Sequence, residues 1–315
     1  MNVVDLVNKL PQAWKIAALL NRGYNLAEVC KFLGMRSASK LSSTISRLIR
    51  TGVMSKHVVV PLEALKHPVS IAILEKYQKT NKPCFKRAPR TILQYYAFSG
   101  GSTEIYYLLE NCALVEDLFD PAVCRLEICE QVVNTLTPLE NPDEAKLRLV
   151  PIGNLLKHCA GTLDDLDQDL LLDVFRLFNP PIERVKNNKS LILLLEQRLG
   201  TKGARYHYYK HIKKCVVQHY ALRGMGDFIL LLVYSASAKE LEDLLNTLVE
   251  NELVNGVWQV TCLTNEPIIA LIHSWGQVEK FVDPDYVHEY IKNTNYTVYP
   301  VIGVSHGFAT SSARS

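Results

Sequence analysis

Hydrophobic positions recur along this chain with two periods, about 3.6 residues in some stretches and about two in others. From residue 228 to 303 they predict strand, helix, strand, strand, helix, strand, with a basic helical segment just before. The same order can be followed more faintly from residue 2 to 153. Val150-Pro-Ile-Gly153 and Pro300-Val-Ile-Gly303 would close the two copies. The pattern therefore predicts an α+β chain that contains one two-part unit twice.

The strands of the second copy are predicted at 228–234, 254–263, 268–273 and 296–302, with helices at 238–249 and 277–292. In the first copy the strands are predicted at 69–77, 90–98, 103–110 and 146–152, with a long helix at 114–136. The first crossover of that copy, 78–89, is short and contains proline. Its helix is therefore expected to be reduced to a turn.

Three helices are predicted near the start of the chain, at 13–20, at 26–33 and from Ser37 or Ser39 to Arg50. Asn25 can cap the second helix and Gly34 can end it, so the pair forms a helix-turn-helix signature. The third helix would turn its apolar residues to the core, namely Leu41, Ile45 and Leu48. Its outer face would then consist of Ser39, Lys40, Ser43, Ser46, Arg47 and Arg50. Short hydroxyls and long cations of this kind suit a DNA major groove.

The net charge of +3 conceals a strong segregation of charge. Residues 1–60 hold nine Lys or Arg against two acidic residues, and residues 184–223 hold ten against one. Two local basic regions are what binding to a polyanion requires, although such regions also occur as ordinary solvated helix faces. In the second region helices are predicted at 169–178, 191–199 and 201–215. The last presents Lys202, Tyr206, Tyr209, Lys210 and Lys213, which can stack on bases or pack against a neighbouring domain.

The eight cysteines form no CxxC pair and have no histidine at zinc-ligand spacing. We therefore expect buried thiols in a reducing compartment and no structural metal. The first residues contain no basic segment followed by an unbroken apolar run, so a signal peptide is not expected. No apolar run reaches the roughly 18 residues that a membrane span needs. These features predict a cytoplasmic protein with no membrane partner.

Common catalytic and cofactor motifs are missing from the sequence, which contains no Walker A loop, GxGxxG, HExxH or GxSxG. The acidic run Asp164-Asp-Leu-Asp-Gln-Asp169 raises the alternative of a cation site. A helical N-terminal turn is the favoured interpretation, because carboxylates there meet the positive end of the helix dipole. We therefore expect no cofactor and no metal. The final segment, 305–315, is expected to be disordered.

Three stretches resemble the Lrp/AsnC family of transcription regulators: Leu26-Ala-Glu-Val-Cys-Lys-Phe-Leu-Gly34, Leu48-Ile-Arg-Thr-Gly-Val53 and Tyr95-Tyr-Ala-Phe-Ser-Gly100. This resemblance implies a helix-turn-helix, winged-helix-like domain followed by a ferredoxin-like βαββαβ domain, the pair present twice. The helix-turn-helix domains would span 1–61 and 154–225, and the ferredoxin-like domains 62–153 and 226–304.

On this resemblance the chain would be a DNA-binding transcription regulator and not an enzyme. Contacts with double-stranded DNA are expected at Arg36, Ser39, Lys40, Ser43, Arg47, Arg50, Lys202, Tyr206, Lys210 and Lys213. A small-molecule effector would contact Gly100, Gly101, Ser102 and Asn265, in two hairpin turns that depart from the family's pattern of glycine and an acidic residue. Two copies in one chain would form a pseudo-dimer that can pair again into a homodimer or higher oligomer.

Two other functions stay open at this point. Siroheme decarboxylases have similar two-part halves, and Ile269-Ala-Leu-Ile-His273 followed by Gln277-Val-Glu-Lys280 resembles their strand with a histidine before a helix. In such an enzyme His273 would donate a proton or act as a ligand. The histidine and arginine expected on the preceding strand are missing from Val257-Trp-Gln-Val-Thr261. The remaining alternative is an assembly protein that binds neither DNA nor an effector.

Overall fold

The computed structural model describes residues 10–77, 82–141, 146–156, 159, 163–178, 190–222, 226–282 and 295–306. The described helices are α1 (Leu10–Asn21), α2 (Leu26–Phe32), α3 (Ala38–Arg50), α4 (Cys112–Leu118), α5 (Ile152–Leu155), α6 (Asp165–Phe178), α7 (Ser190–Lys210), α8 (Ala238–Glu250) and α9 (Val278–Val282). The described strands are β1 (Met54–Val59), β2 (Ser70–Lys76), β3 (Thr91–Phe98), β4 (Ser102–Leu108), β5 (Cys124–Gln131), β6 (Asn134–Asn141), β7 (Lys146–Pro151), β8 (Val217–Leu222), β9 (Asp227–Ser235), β10 (Val254–Cys262), β11 (Ile268–Gly276) and β12 (Asn295–His306). The predicted α+β class is confirmed.

Ten strands form one sheet in the order β5-β2-β4-β3-β12-β9-β11-β10-β6-β7, and β1 pairs with β8 in a separate two-stranded sheet. In the first half the order is β5-β2-β4-β3, and in the second half it is β12-β9-β11-β10. Counted along the chain, each half therefore places its fourth strand beside its first, then its third, then its second. This is the strand order of a ferredoxin-like βαββαβ unit. The domain limits, and descent of the two halves from one duplicated unit, stay predictions.

The inner faces of these two four-stranded units meet in one core. Ile71 and Tyr107 from the first unit lie in the same buried cluster as Trp258 and Leu271 from the second. The outer face of each unit is covered by its own helix, α8 over the second unit and α4, through Val115, over the first. Burial of both faces of each unit removes a large apolar area from water, which is the main force holding the layers together. Side chains from the two halves of the chain therefore touch between the inner faces.

The first helical module forms as the sequence predicts. Asn25 accepts hydrogen bonds from the backbone N–H groups of Ala27 and Glu28, and Glu28 accepts one from the Asn25 N–H, so a capping box starts α2. Ser37 caps α3 by accepting from the Lys40 N–H. The predicted core residues of α3 are buried, namely Leu41, Ile45 and Leu48. Local capping and helical periodicity are sufficient to specify this module.

The first half differs from prediction after its third strand. The helix predicted at 114–136 is wrong, because α4 ends at Leu118 and β5 and β6 follow. Pro121 cannot donate a backbone hydrogen bond and therefore prevents continuation of α4. Strand β5 then pairs with β2, which would otherwise be left as an edge strand. Strand β7, expected to close the first copy, instead pairs with β6, and β6 extends the second unit beside β10. Val150 and Pro300 are therefore not at equivalent positions.

The prediction of free thiols is wrong for six of the eight cysteines. Disulfides join Cys84 to Cys124, Cys112 to Cys129 and Cys159 to Cys215, across sequence separations of 40, 17 and 56 residues. Cys30 and Cys262 are free and buried. Tertiary contacts bring the paired cysteines together, so no short spacing motif marks them.

Within the described residues, none of the helices has the length and apolar character to cross a membrane.

The second helical module packs beside the sheets. Helix α7 contains a break at Gly200, whose φ of 71° is accessible mainly to glycine, as predicted from its position between two helical stretches. The two-stranded sheet lies so close to β10 that a Cβ on Gly256 would stand 2.2 Å from the backbone oxygen of Leu222. The side chain of Asn21 in α1 exchanges two hydrogen bonds with the backbone of Tyr220 in β8. The predicted helix at 277–292 is seen as α9, and its continuation lies outside the described residues. The prediction of disorder from residue 305 is wrong for Ser305 and His306, because β12 continues through them and pairs with β3. Residues 307–315 lie outside the described part of the chain.

Candidate active site

A hydrogen bond joins the two halves of the chain in the core between their inner faces. The hydroxyl of Tyr107 on β4 lies 2.6 Å from Nε2 of His273 on β11. Both side chains are fully buried. A hydroxyl and an imidazole at this distance can exchange a proton, because both groups can donate and accept. The pair is the centre of the candidate site.

An irregularity in the neighbouring strand brings further groups beside His273. The pairing of β10 with β11 shifts by one residue between Val257 and Gln259, which is a β-bulge. Gln259 is the register partner of His273, and the ring of the extra residue, Trp258, lies 5.8 Å from the imidazole. The bulge therefore puts an indole and an amide on the same inner face. Gln259 also donates a hydrogen bond to the hydroxyl of Thr261 at 3.1 Å.

Aromatic rings enclose the pair from several elements. The ring centroids of Tyr95 and Tyr107 lie 6.1 Å and 6.0 Å from that of His273. Phe175 of α6 also packs against Tyr107, with 5.6 Å between ring centroids. From the two-stranded sheet, His57 stacks on Trp258 at 4.6 Å with an angle of 7° between ring planes. Both four-stranded units, α6 and the two-stranded sheet thus contribute to one site.

Burial sets the charge state of the pair. Desolvation lowers the pKa of His273 to about 3, so the imidazole is neutral at neutral pH. Desolvation likewise raises the pKa of Tyr107, an effect that a hydrogen bond with Thr261 opposes in part. Nδ1 of His273 and Oε1 of Gln259 have no hydrogen-bond partner among the described residues. Such atoms are expected where a ligand supplies the missing partner.

A second pair of histidines anchors the two-stranded sheet. His57 on β1 and His219 on β8 are register partners. Nε2 of His219 lies 2.9 Å from the backbone oxygen of Pro138 on β6, and burial lowers the pKa of this imidazole to about 4. Nε2 of His57 lies 2.6 Å from the hydroxyl of Ser55. These contacts fix β1 against the ten-stranded sheet and so hold His57 against the indole ring.

The residues predicted to contact DNA lie on two exposed helix faces. Those on and just before α3 are Arg36, Ser39, Lys40, Ser43, Arg47 and Arg50. Those in the part of α7 that follows Gly200, and just beyond its end, are Lys202, Tyr206, Lys210 and Lys213. In the second group Nζ of Lys210 donates to the hydroxyl of Tyr206 at 2.6 Å and lies 4.8 Å from the centre of its ring. Exposure of these side chains leaves them accessible to a partner and does not identify one.

The residues predicted to bind an effector occupy two separate turns. Gly100, Gly101 and Ser102 lie at the turn between β3 and β4, where Gly100 has a φ of 71°. Asn265 is exposed in the turn between β10 and β11. The turns belong to different units, and effector binding at them stays a prediction.

The sequence analysis did not identify Tyr107, Trp258 and Gln259 as site residues, since they occur in ordinary strand sequences without a motif.

No protein-family model matches this chain, and no curated protein sequence does. Among solved structures, the siroheme decarboxylase NirDL matches with a TM-score of 0.41 and 12% identity, over 90% of this chain and 88% of that one. Its co-complex with an iron-uroporphyrin III analogue matches with a TM-score of 0.39 and 12% identity, over 89% and 85% of the two chains. An anthrone oxidase-like protein matches with a TM-score of 0.28 and 8% identity, over 79% and 96%.

These matches correct two predictions. The prediction of a DNA-binding transcription regulator is wrong on this comparison, because the first matching structures are of a siroheme decarboxylase. The prediction that the chain is not an enzyme is wrong for the same reason. The Lrp/AsnC resemblance is supported only as a shared helix-turn-helix and ferredoxin-like architecture. Exposed cations on a helix report charge and shape alone, so they did not distinguish a regulator from an enzyme. Identity of 12% does not carry an activity over to this chain.

Proposed function

We propose that this chain is a decarboxylase that acts on a carboxylate-bearing tetrapyrrole, with Tyr107 and His273 as its proton-transfer pair. The observation that carries the proposal is the 2.6 Å contact between these two side chains, one from each half, in the shared core. Buried titratable groups whose pKa values are displaced by their surroundings are frequent in active sites. Siroheme, the compound in the name of the matching decarboxylase, is the first substrate to test.

The reaction needs one proton donor and no oxidant. The bond between the substrate carbon and its carboxylate breaks, carbon dioxide leaves, and the electron pair stays on the carbon. That carbon then takes a proton from the Tyr107 hydroxyl. The carbanion is a stronger base than a phenolate, so a tyrosine with a raised pKa can still protonate it. The neutral imidazole of His273 orients the hydroxyl, and after the transfer its Nε2–H gives a proton to the Tyr107 phenolate while Nδ1 takes one from water.

The neutral character of the site supports this type of reaction. The groups nearest the pair on β10 are Trp258, Gln259 and Thr261, none of which carries a charge. A carboxylate moved from water to such surroundings loses solvation, whereas its charge disperses as carbon dioxide forms. The missing His and Arg on this strand therefore argue for a mechanism that relies on desolvation. They argue against tight ion pairing of the reacting carboxylate at this position.

The aromatic lining supports a flat substrate. Trp258 and Tyr95 both approach His273 with their rings, and Trp258 already stacks on the planar imidazole of His57. His57 and Phe228 both stack on Trp258, so its ring faces can attract a planar conjugated molecule once these packed residues separate. Because Tyr107 and His273 are fully buried, a substrate reaches them only when packed elements separate. Binding should therefore increase hydrogen exchange in an element that covers the pair, and α6 is the one that contacts Tyr107 through Phe175.

Incubation of the purified protein with siroheme tests the proposal. The product is analysed by mass spectrometry for loss of carbon dioxide, and binding is followed by the shift of the tetrapyrrole absorption band. We expect both signals with the natural sequence. His273→Gln and Tyr107→Phe should keep binding and lower turnover by roughly 100-fold or more, as is typical for loss of an acid-base group.

Matched controls separate chemistry from general damage. His67→Gln and Tyr77→Phe make the same chemical changes at exposed side chains and should leave turnover unchanged. Absence of both binding and carbon dioxide release with the natural sequence would overturn the proposal. Full turnover in the Tyr107→Phe variant would show that this tyrosine is not the proton donor.

A further inference from the structure

A buried carboxylate meets two histidines away from the candidate active site. Asp167, near the start of α6, is fully buried. Its Oδ1 lies 2.7 Å from Nδ1 of His207, and its Oδ2 lies 3.5 Å from Nδ1 of His211. The two histidines are four residues apart, so they lie on the same face near the end of the helical segment that begins after Gly200. Both rings therefore turn the same nitrogen toward one carboxylate.

Asp164 adds a second carboxylate to this group. The backbone N–H of Asp167 donates to Oδ1 of Asp164 at 2.8 Å, so Asp164 caps α6 as the sequence predicts for the acidic run. Ligand atoms of Asp164, Asp167 and His207 lie within 4.8 Å of one another. Capping occupies one oxygen of Asp164 in a single hydrogen bond and leaves acceptor capacity on that carboxylate. We call Asp164, Asp167, His207 and His211 the Asp–His cluster.

Two observations point to a ligand in the Asp–His cluster. Nδ1 of His211 is buried and makes no hydrogen bond to the described residues, although it faces Asp167. Tyr206 packs edge-on against both imidazoles, with ring centroids 5.3 Å from His207 and 5.8 Å from His211. The rings are therefore held with the same nitrogens directed inward. Fixed ring orientation is what neighbours of a metal site provide.

We propose that the Asp–His cluster binds one divalent transition-metal ion of the zinc class. Imidazole nitrogens and carboxylate oxygens are the ligands that Zn²⁺ takes at about 2.0–2.2 Å. Tetrahedral ligands at that range stand about 3.4 Å apart. The separations of 2.7 Å and 3.5 Å within the cluster need to change by less than about 1 Å, and separations of up to 4.8 Å need to shorten by at most about 1.4 Å, to reach this arrangement. Four protein ligands fill a tetrahedral zinc ion, so the site is structural.

The ion would join α6 to the last turns of α7. Asp164 and Asp167 come from the start of α6, whereas His207 and His211 come from the end of α7 and the residue after it. Residues 179–189, between the two helices, lie outside the described part of the chain. A metal would therefore fix the second helical module by a link that is independent of its connecting segment. The inference does not rest on the proposed decarboxylase activity.

Metal titration of the full chain tests the inference. Protein treated with a chelator is titrated with Zn²⁺ alone and, separately, with Co²⁺ alone. We expect one equivalent to bind, with an increase in the thermal midpoint for Zn²⁺ and visible absorption bands of a tetrahedral nitrogen and oxygen site for Co²⁺. The double variant His207→Ala and His211→Ala should lose both signals. Asp164→Ala should weaken binding by about tenfold or more, because it removes one of the four proposed ligands.

The matched control is His67→Ala, which removes an exposed histidine and should bind the same single equivalent. His207→Gln with His211→Gln keeps side-chain size and serves if the alanine variant does not fold by circular dichroism. The titration of the natural sequence decides the matter in either case. Absence of a single tight equivalent, or equal binding by the glutamine variant, would show that the Asp–His cluster is an ion pair without a metal.

Discussion

The two histidine clusters of this chain differ in the partner that each imidazole meets. His273 meets the neutral hydroxyl of Tyr107, whereas His207 and His211 share the carboxylate of Asp167. A buried imidazole beside a hydroxyl stays neutral and can pass a proton, while a buried carboxylate carries a negative charge that needs a cation. The partner, more than the histidine itself, therefore determines what such a cluster can do.

The clusters also differ in access from solvent. The His273 side chain is fully buried between the inner faces of the two four-stranded units. His207 and His211 are 15% and 13% exposed at the side of two helices. A small ion can therefore reach the Asp–His cluster without a large movement, whereas a substrate reaches His273 only after packed elements separate. This difference matches a metal at one cluster and a gated reaction at the other.

Of the four expected effects on the free energy of unfolding, loss of the Cys159–Cys215 disulfide should be the largest. The bond closes a segment that contains both α6 and α7, with a sequence separation of 56 residues. The chain-entropy estimate for a loop of this size is about 4 kcal/mol of unfolding free energy. Chemical unfolding of Cys159→Ala, Cys215→Ala and the double variant measures it. All three should lose the same amount, because each breaks the same bond, and additive losses would contradict the disulfide.

Asp167→Asn should have the next largest effect. The change replaces the buried carboxylate that Nδ1 of His207 contacts at 2.7 Å by a neutral amide, and a hydrogen bond to a charged group contributes about 1.5 to 3 kcal/mol. Urea unfolding of metal-free protein gives the value. Asp165→Asn, which alters an exposed carboxylate paired with Lys66, is the control and should change stability little. Equal losses in the two variants would mean that the buried contacts of Asp167 contribute no more to stability than an exposed ion pair.

Acid should lower the free energy of unfolding, because the neutral histidines of the core take up protons when the chain unfolds. The pKa values of His273 and His219 are about 3 and about 4 when folded, below the ordinary value of 6.5, so the unfolded chain binds more protons. Stability is therefore complete above about pH 6.5 and falls as pH decreases toward the folded values, by about 1.4 kcal/mol per pH unit for each histidine. Unfolding curves between pH 7 and 5 measure this slope. His273→Gln should remove one histidine's share, and His67→Gln should remove none.

Tyr107→Phe should have the smallest effect of the four. It removes one neutral hydrogen bond and leaves Nε2 of His273 without its tyrosine partner, at a cost of about 1 to 2 kcal/mol. Urea unfolding beside Tyr77→Phe, an exposed control, gives the difference. A loss of unfolding free energy as large as that of Asp167→Asn would show that the Tyr107–His273 contact contributes as much as the buried contacts of the carboxylate.

Local features were predicted well where one segment contains all the information. The capped helices around Asn25 and Ser37, and the buried stripe of α3, follow from periodicity and capping chemistry. The strands of the second unit follow from apolar runs such as 228–234. The long helix at 114–136 failed because its apolar residues suit either structure. Pairing with β2, a segment about fifty residues earlier, determined the strand.

The candidate sites could be predicted only in part. His273 was singled out from the sequence, but its partner Tyr107 lies 166 residues away in an ordinary strand. Asp167 was noticed as one of several acidic residues, while the histidines that meet it come 40 and 44 positions later. The six paired cysteines lacked any short spacing. Contacts of this range leave no local signal.

The sequence by itself determined where the helices of the first module begin, which of their faces is apolar, where the strands of the second unit lie, and where the charges are concentrated. The tertiary structure alone decided that β3 pairs with β12, that β6 and β7 extend the second unit, and that Tyr107 touches His273. The physical reason is that capping and periodicity act over a few residues, whereas strand pairing, disulfide formation and polar contacts in the core depend on which surfaces are buried together.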